Sequence, residues 1–215
     1  GMPLLEQGNI EKVSFSAERI SESFVEFIEN GYDVITLTSS CALMMKYEWP
    51  LILPDNNSVK LLSENTYDID EYIVHISKNE GLVEGMQPVD GGISLHLACH
   101  SRAQNMGAKS NELLKLIPEA DISIVERCSG HGGTFGVLSP THDLARKVGK
   151  PAARQVAKVD PSFVISSCPL ASKHLSQITK EDIIKGNEKS QIKSGHPIEL
   201  MAVSYGFLNK DEMSE

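Results

Sequence analysis

The residues of this sequence with the most distinctive chemistry are its four cysteines. Each cysteine comes after a short apolar run of the kind that forms a β-strand, and each is succeeded by a turn or by residues that can begin a helix. Because ligands bind beyond the carboxyl ends of the strands in an open parallel sheet, we expect the cysteines to meet at one rim. Thiolates gathered in this way bind zinc or iron-sulfur clusters, which need about four ligands. The residues are Cys41, Cys99, Cys128 and Cys168.

The elements that must position these cysteines alternate between strand and helix patterns. We expect a helix with Ser16 as its N-cap before the first strand, and Pro50 and Pro54 should end the apolar helix that comes after Cys41. A long helix should run from Thr141 or Asp143 to about residue 158. The alternation predicts an α/β fold with mainly parallel sheets and crossover helices, in which the cysteines lie at the carboxyl ends of strands. The expected strands cover residues 34–38, 93–97, 122–125 and 163–165.

A weak internal repeat suggests how the chain is divided. Residues 34–43 are similar to residues 161–170, and the similarity aligns Cys41 with Cys168. A connector rich in glycine at residues 81–92 separates the two copies. We therefore predict two similar half-domains, at residues 1–85 and 86–208, and a mobile polar tail at residues 209–215.

Composition and charge exclude several classes of function. The net charge of -9 argues against a nucleic-acid partner. No run approaches the roughly 20 apolar residues that a membrane-spanning helix needs. Four cysteines are too few for a disulfide-rich secreted module. We expect a cytoplasmic protein, and peripheral association with the inner face of the membrane stays open.

Two other kinds of chemistry have weaker support. The glycine-rich turn at residues 130–136 could bind phosphate through its backbone N–H groups, but Phe135 stands where a dinucleotide-binding motif has its third glycine. Close backbone packing explains these glycines better. A catalytic cysteine is a further alternative, because a thiol at the start of a helix can have a lowered pKa. No serine lies in a nucleophile motif.

Longer stretches around the cysteines resemble a known family. The segments 93–136, Cys168-Pro169 and His196-Pro197, in this order, resemble the cysteine-rich CCG domain. That domain occurs in one of the subunits of heterodisulfide reductase, in one of those of anaerobic glycerol-3-phosphate dehydrogenase, and in related iron-sulfur oxidoreductases of lactate and glycolate oxidation. The stretch 41–50 looks like the end of the first of that family's two cysteine motifs. The resemblance therefore divides the chain into the C-terminal part of a first repeat and a complete second repeat.

The cysteine motif departs from the family pattern, which is a single Cys, a Cys-Cys-Gly and a CxxC. Cys99 matches the single cysteine and Cys128 matches the first of the pair, whereas Ser129 stands in place of the second. Cys168 matches the first position of the CxxC, and Ala171 replaces the second. The sequence from residue 1 onward resembles the segment that normally succeeds the first Cys-Cys-Gly, so we expect a truncation inside that motif, without the family's ferredoxin-like module.

These matches predict a reduced site with Cys99, Cys128 and Cys168 as thiolate ligands. His131 is the candidate fourth ligand, because the CxxH spacing from Cys128 allows both side chains to meet one ion across a turn. Such a set would satisfy zinc or another single metal, or hold an iron-sulfur cluster less securely. The alternative role of His131 is to order the glycine turn through hydrogen bonds.

The resemblance implies a non-catalytic electron-transfer subunit. It would relay electrons between a flavin-containing dehydrogenase subunit and a quinone or dithiol acceptor, with a ferredoxin-like module as a further partner. Two alternatives remain open: a structural interaction module with a fold-stabilising zinc, and a thiol-based redox enzyme.

Overall fold

Two parallel sheets form the framework of the computed structural model, which describes residues 1–184 and 192–214. The first sheet pairs β1 with β2, and the second has the order β4-β3-β5-β6. Every neighbouring pair of strands is parallel, which confirms the predicted α/β class. The strands are β1 (Val34–Thr36), β2 (Thr66–Asp68), β3 (Ile93–His96), β4 (Ile122–Val125), β5 (Phe163–Ser166) and β6 (Lys193–Gly195).

Helices connect and cover the strands. Two turns of π-helix, Met44–Glu48 and Thr179–Ile183, and two 3-10 turns, Gly133–Gly136 and Lys210–Glu212, extend or join them. Among the described residues, no helix is both long enough and apolar enough to cross a membrane. The helices are α1 (Met2–Glu6), α2 (Ile10–Glu29), α3 (Ser39–Leu43), α4 (Trp49–Ile52), α5 (Asn57–Glu64), α6 (Ile69–Asn79), α7 (Cys99–Ala103), α8 (Lys109–Leu114), α9 (Ser139–Lys158), α10 (Pro169–Ile178) and α11 (Pro197–Ser204).

Helix α2 begins earlier than the sequence predicts. Asn9, and not Ser16, is its N-cap, and the Asn9 side chain accepts a hydrogen bond from the Lys12 N–H at 3.3 Å. The extra turns bury Val13 beside Ala17 on the apolar face of the helix. The predicted cap is wrong because Ser16 and Asn9 are both good caps, and only the packing of Val13 decides between them.

Pro50 does not end the helix that comes after β1. The chain runs as α3, a π-helical turn and α4 without a break, and the Trp49 N–H reaches back five residues to the Met44 carbonyl. Pro50 then lies in the first turn of α4, where its missing N–H costs little. The predicted stop at Pro50 is therefore wrong, because a wider turn absorbs the proline.

The second sheet is buried on both faces. Helices α8 and α11 cover one face, where Leu95, Phe163 and Ile165 belong to the core. Helices α9 and α10 cover the other face, around Val125 and Val164. β5 has most of the continuous apolar run that a strand covered on both sides needs, whereas β3 alternates Ile93 and Leu95 with the buried polar residues Ser94 and His96.

The C-terminal segment, for which we predict mobility, contacts the second sheet. Met213 is buried in the core beside β3 and β5. The Ser194 N–H donates a hydrogen bond to the Ser214 carbonyl at 2.7 Å. A single apolar side chain in a polar segment thus supplies a core contact, whereas Glu215 lies outside the described residues.

Candidate metal and redox site

Three of the four cysteines line one cavity. Cys99, Cys128 and Cys168 come after β3, β4 and β5, which are neighbours in the second sheet, so their carboxyl ends lie side by side. The cavity has a volume of about 130 Å³. Its other lining residues are Glu6, His96, Ala98, His100, Ser129, His131, Gly132, Gly133 and Ala171.

Backbone N–H groups lie near the sulfur atoms of Cys128 and Cys168. The Gly130 N–H donates a hydrogen bond to Cys128 Sγ at 3.3 Å. Cys168 is the N-cap of α10 and makes no side-chain capping hydrogen bond. The nearby N–H groups of Ala171 and Leu170 lower the pKa of the Cys168 thiol, because they stabilise negative charge.

Partial burial of the thiols has the opposite effect on their pKa. Burial raises the pKa of Cys99, and the neighbouring Cys128 raises this pKa further, although Arg102 lowers it. Burial also raises the pKa of Cys168 against the lowering by the N–H groups of Ala171 and Leu170. Both thiols are therefore protonated at neutral pH unless a cation displaces the proton.

Cys41 does not join the other three, although the sequence predicts all four cysteines at one rim. Like Cys99 and Cys128 it is exposed, but unlike them it does not line the cavity. The reason is local: Cys168 precedes the first turn of α10, whereas Cys41 is the third residue of α3. The helix in the first copy of the repeat begins earlier relative to the cysteine, so the aligned residues occupy different positions.

His131 lies in the predicted place, on the wall of the cysteine cavity. It is buried, and its ring contacts that of His174 edge to face at 5.7 Å between centroids. Burial lowers the pKa of His131, while Glu6 raises it. The backbone N–H of His131 donates a hydrogen bond to Ser129 Oγ at 3.4 Å, so this residue takes part in ordering the turn.

Two further histidines, His96 and His196, have structural contacts. His96 is buried, and its ring nitrogens lie 3.1 Å from Ser166 Oγ and from the Arg127 carbonyl. Burial lowers its pKa to about 4, so it is a neutral hydrogen-bonding link between strand ends. His196 caps α11 by accepting a hydrogen bond from the Ile198 N–H at 3.2 Å.

Glu6 is a site residue that the sequence did not indicate. Helix α1 lies against the turn Gly133–Gly136, and the Glu6 carboxylate lies beside Gly133. A Cβ atom at Gly133 would displace this flexible carboxylate, and the positive φ of Gly133 independently favours glycine there. No signal in a short N-terminal segment could place Glu6 opposite cysteines more than 90 residues away.

Close packing also explains Gly130. A Cβ atom there would collide with the Ala145 carbonyl and with the backbone of Gly149 on α9. The glycine-rich turn therefore presses against a helix, as the packing explanation predicts.

A second cavity of about 240 Å³ adjoins the first and shares Glu6, His100, His131, Gly133 and Cys168 with it. Apolar side chains of Met2, Pro3, Val137 and Leu170 contribute much of its wall. Ser40 of α3, the helix that comes after β1 of the first sheet, also lines this cavity. Segments next to both sheets therefore contribute to the space beside the cysteines.

The donor set fits a metal or a cluster in kind, since three soft thiols and the imidazoles of His96, His100 and His131 line a common space. Across residues 1–184 and 192–214, however, no group of three or more His, Cys, Asp or Glu side chains is already arranged to hold a metal ion. The assignment of Cys99, Cys128, Cys168 and His131 as ligands stays a prediction.

Comparison with known proteins identifies the part of the chain that contains the site. Residues 93–175 match the family described as the cysteine-rich domain, CCG. This match confirms that residues 93–175 resemble the CCG domain. The match covers β3, β4 and β5 and all three cysteines of the cavity.

The relatives with curated names extend this result. One subunit of the fumarate reductase (CoM/CoB) of Methanothermobacter marburgensis is 26% identical over 95% of this chain and 38% of its own length. An uncharacterised iron-sulfur protein of Methanocaldococcus jannaschii is 31% identical over 68% of this chain and 27% of its own. Lactate utilization protein A of a Geobacillus species is 23% identical over 78% of this chain and 69% of its own. The chain thus spans about two fifths or less of the first two relatives.

Within the matched residues, the positions that depart from the family motif are also at the cavity. Ser129 and Ala171, where the resemblance expects cysteines, both line it. All five motif positions therefore surround one space, and two of them lack sulfur.

Proposed function

We propose that this chain is a redox subunit, or part of one, which holds an iron-sulfur cluster or a single metal at Cys99, Cys128 and Cys168. The observation that carries the proposal is that all five motif positions line one cavity. The names of the relatives support it, because they describe iron-sulfur proteins and a reductase subunit. A bound cluster would supply one-electron chemistry between a flavin-containing dehydrogenase partner and a quinone or dithiol acceptor.

In this proposal the residues of the chain perform defined tasks. The sulfurs of Cys99, Cys128 and Cys168 bind the group, and the N–H groups of Gly130 and of the first turn of α10 stabilise the thiolates. Met2, Pro3, Val137 and Leu170 limit the access of water from the adjoining cavity.

The test is metal and sulfide analysis of protein that is purified without oxygen, together with its visible spectrum. Iron, acid-labile sulfide and broad sulfur-to-iron absorption would support the redox subunit. Cys128→Ser should lower the metal content, whereas the matched variant Cys41→Ser should leave it unchanged, because Cys41 does not line the cavity. Equal metal content in the wild type and in Cys128→Ser would exclude Cys128 as a ligand.

A structural zinc site is the second candidate. It is favoured by the presence of His131 on the same wall as the three cysteines, since three thiolates and one imidazole satisfy tetrahedral zinc. A colourless protein with one zinc per chain, which is lost in His131→Ala, would select this candidate. Retention of the metal in His131→Ala would assign the fourth position to another group.

A further inference from the structure

The two longest helices carry opposite charges. Helix α2 has five acidic and two basic side chains in 20 residues. Helix α9, which is equally long, has five basic side chains and one acidic side chain, Asp143. Since the chain as a whole has a net charge of -9, α9 is a local reversal of its charge.

The exposed side of α9 combines this charge with apolar surface. Leu144 and Val148 are 53% and 45% exposed, although the helix has a separate apolar face that is buried against the second sheet. Lys147, Arg154 and Lys158 are exposed within the same sector of the helix, by helical spacing. The exposed acidic Asp143 shares this sector, which keeps a net positive charge. Arg146 and Lys150, in contrast, form ion pairs with Glu181 and Asp182.

This surface continues to the mouth of the site. Val137 is 62% exposed and precedes α9, and Leu170 is 56% exposed at the start of α10. Both line the cavity that adjoins the cysteines. Lys173 is exposed beside them and lines a neighbouring cavity that also includes Val137 and Leu170. Val137, Leu170 and Lys173 thus place apolar and basic side chains at the cavities beside the cysteines, near the N-terminal end of α9.

We propose that the α9 face, defined as Val137, Leu144, Lys147, Val148, Arg154 and Lys158, is the docking surface for an acidic redox protein. The proposal rests on the proposed function, because it places the partner at the mouth of the redox site. Charge complementarity defines the partner as acidic, with an apolar centre that covers Leu144 and Val148. A second copy of this chain fits less well, because two chains that each have a net charge of -9 repel one another.

The test uses the full chain with a purified acidic ferredoxin of plant type as the probe and the basic protein cytochrome c as the counter-probe. Affinity is measured by isothermal titration calorimetry at low and at high ionic strength. The ferredoxin should bind at low ionic strength, and salt should weaken the binding. The triple variant Lys147→Glu, Arg154→Glu, Lys158→Glu should weaken it at least tenfold, which corresponds to about 1.4 kcal/mol.

A matched control makes the same charge change elsewhere. Lys12, Lys60 and Lys115 are exposed and lie outside the α9 face, so their triple change to Glu should weaken binding much less. Equal weakening by both triple variants, preference for cytochrome c, or absence of binding to the ferredoxin would overturn the proposal. Self-association that the α9 variant abolishes would assign the surface to a second copy instead. Metal content and visible spectrum, measured on each variant, report separately on the proposed function.

Discussion

A buried carboxyl group between the two sheets should make the stability of the protein depend on pH. Asp70 of α6 is fully buried. Its Oδ2 accepts a hydrogen bond from the Ser110 hydroxyl of α8, and its Oδ1 has no partner among the described residues. Burial raises the pKa of Asp70 to about 7, and the neighbouring Asp68 also raises it, although the hydrogen bond from Ser110 acts in the opposite direction.

The size and sign of the effect are set by this pKa. The group binds its proton more tightly in the folded state than in the unfolded state, where the pKa is about 3.8. Its contribution to stability is therefore complete below pH 4 and is lost as pH rises towards 7. A difference of about three pH units corresponds to about 4 kcal/mol, as an upper limit. The neutral Asp70→Asn variant should lack this loss.

Urea denaturation of the wild type and of Asp70→Asn between pH 4.5 and pH 8 measures the effect. Buried His96 and His196 have lowered pKa values of about 4 and change stability in the opposite direction. Their contributions cancel when the two proteins are compared at each pH. The variant should become more stable relative to the wild type as pH rises, whereas the exposed control Asp55→Asn should not. Parallel curves for the wild type and Asp70→Asn would refute the reasoning.

Three further predictions concern the site. Gly130→Ala should destabilise the protein by at least about 2 kcal/mol, measured by urea denaturation, because φ is positive at Gly130 and the added Cβ would collide with α9. Metal uptake should release protons and weaken as pH falls, since Cys99 and Cys168 have raised pKa values; potentiometric titration with zinc detects both effects. The double variant Ser129→Cys, Ala171→Cys should bind more iron and sulfide than the wild type, because both positions line the cavity; unchanged content would contradict this.

The sequence contained enough information to predict the second sheet and the convergence of its cysteines. Residues 122–125 form a strand as expected, because β-branched residues between polar turns favour extended structure. Neighbouring parallel strands then bring Cys99, Cys128 and Cys168 together, even though they are far apart in sequence. These features depend on local pattern and on topology, which sequence reasoning handles well.

Features that depend on tertiary packing were not predictable. The π-helical turn at Met44–Glu48 carries the chain past Pro50, and no residue pattern indicates such a turn. Cys41 was misplaced because the start of α3 shifts relative to the aligned sequence. Glu6 was missed because only the approach of α1 to the glycine turn brings it to the site.

The structure of the site explains how sulfur ligands can be absent while the cavity persists. Ser129 is held by the turn that Gly130 packs against α9, and Ala171 lies in the first turn of α10. Apolar core clusters on both faces of the second sheet hold these elements in position. Since the backbone does not depend on the missing sulfurs, the position of each ligand and its chemical type are separate properties. The reduced set of donors can therefore change what is bound while the fold and the α9 face stay the same.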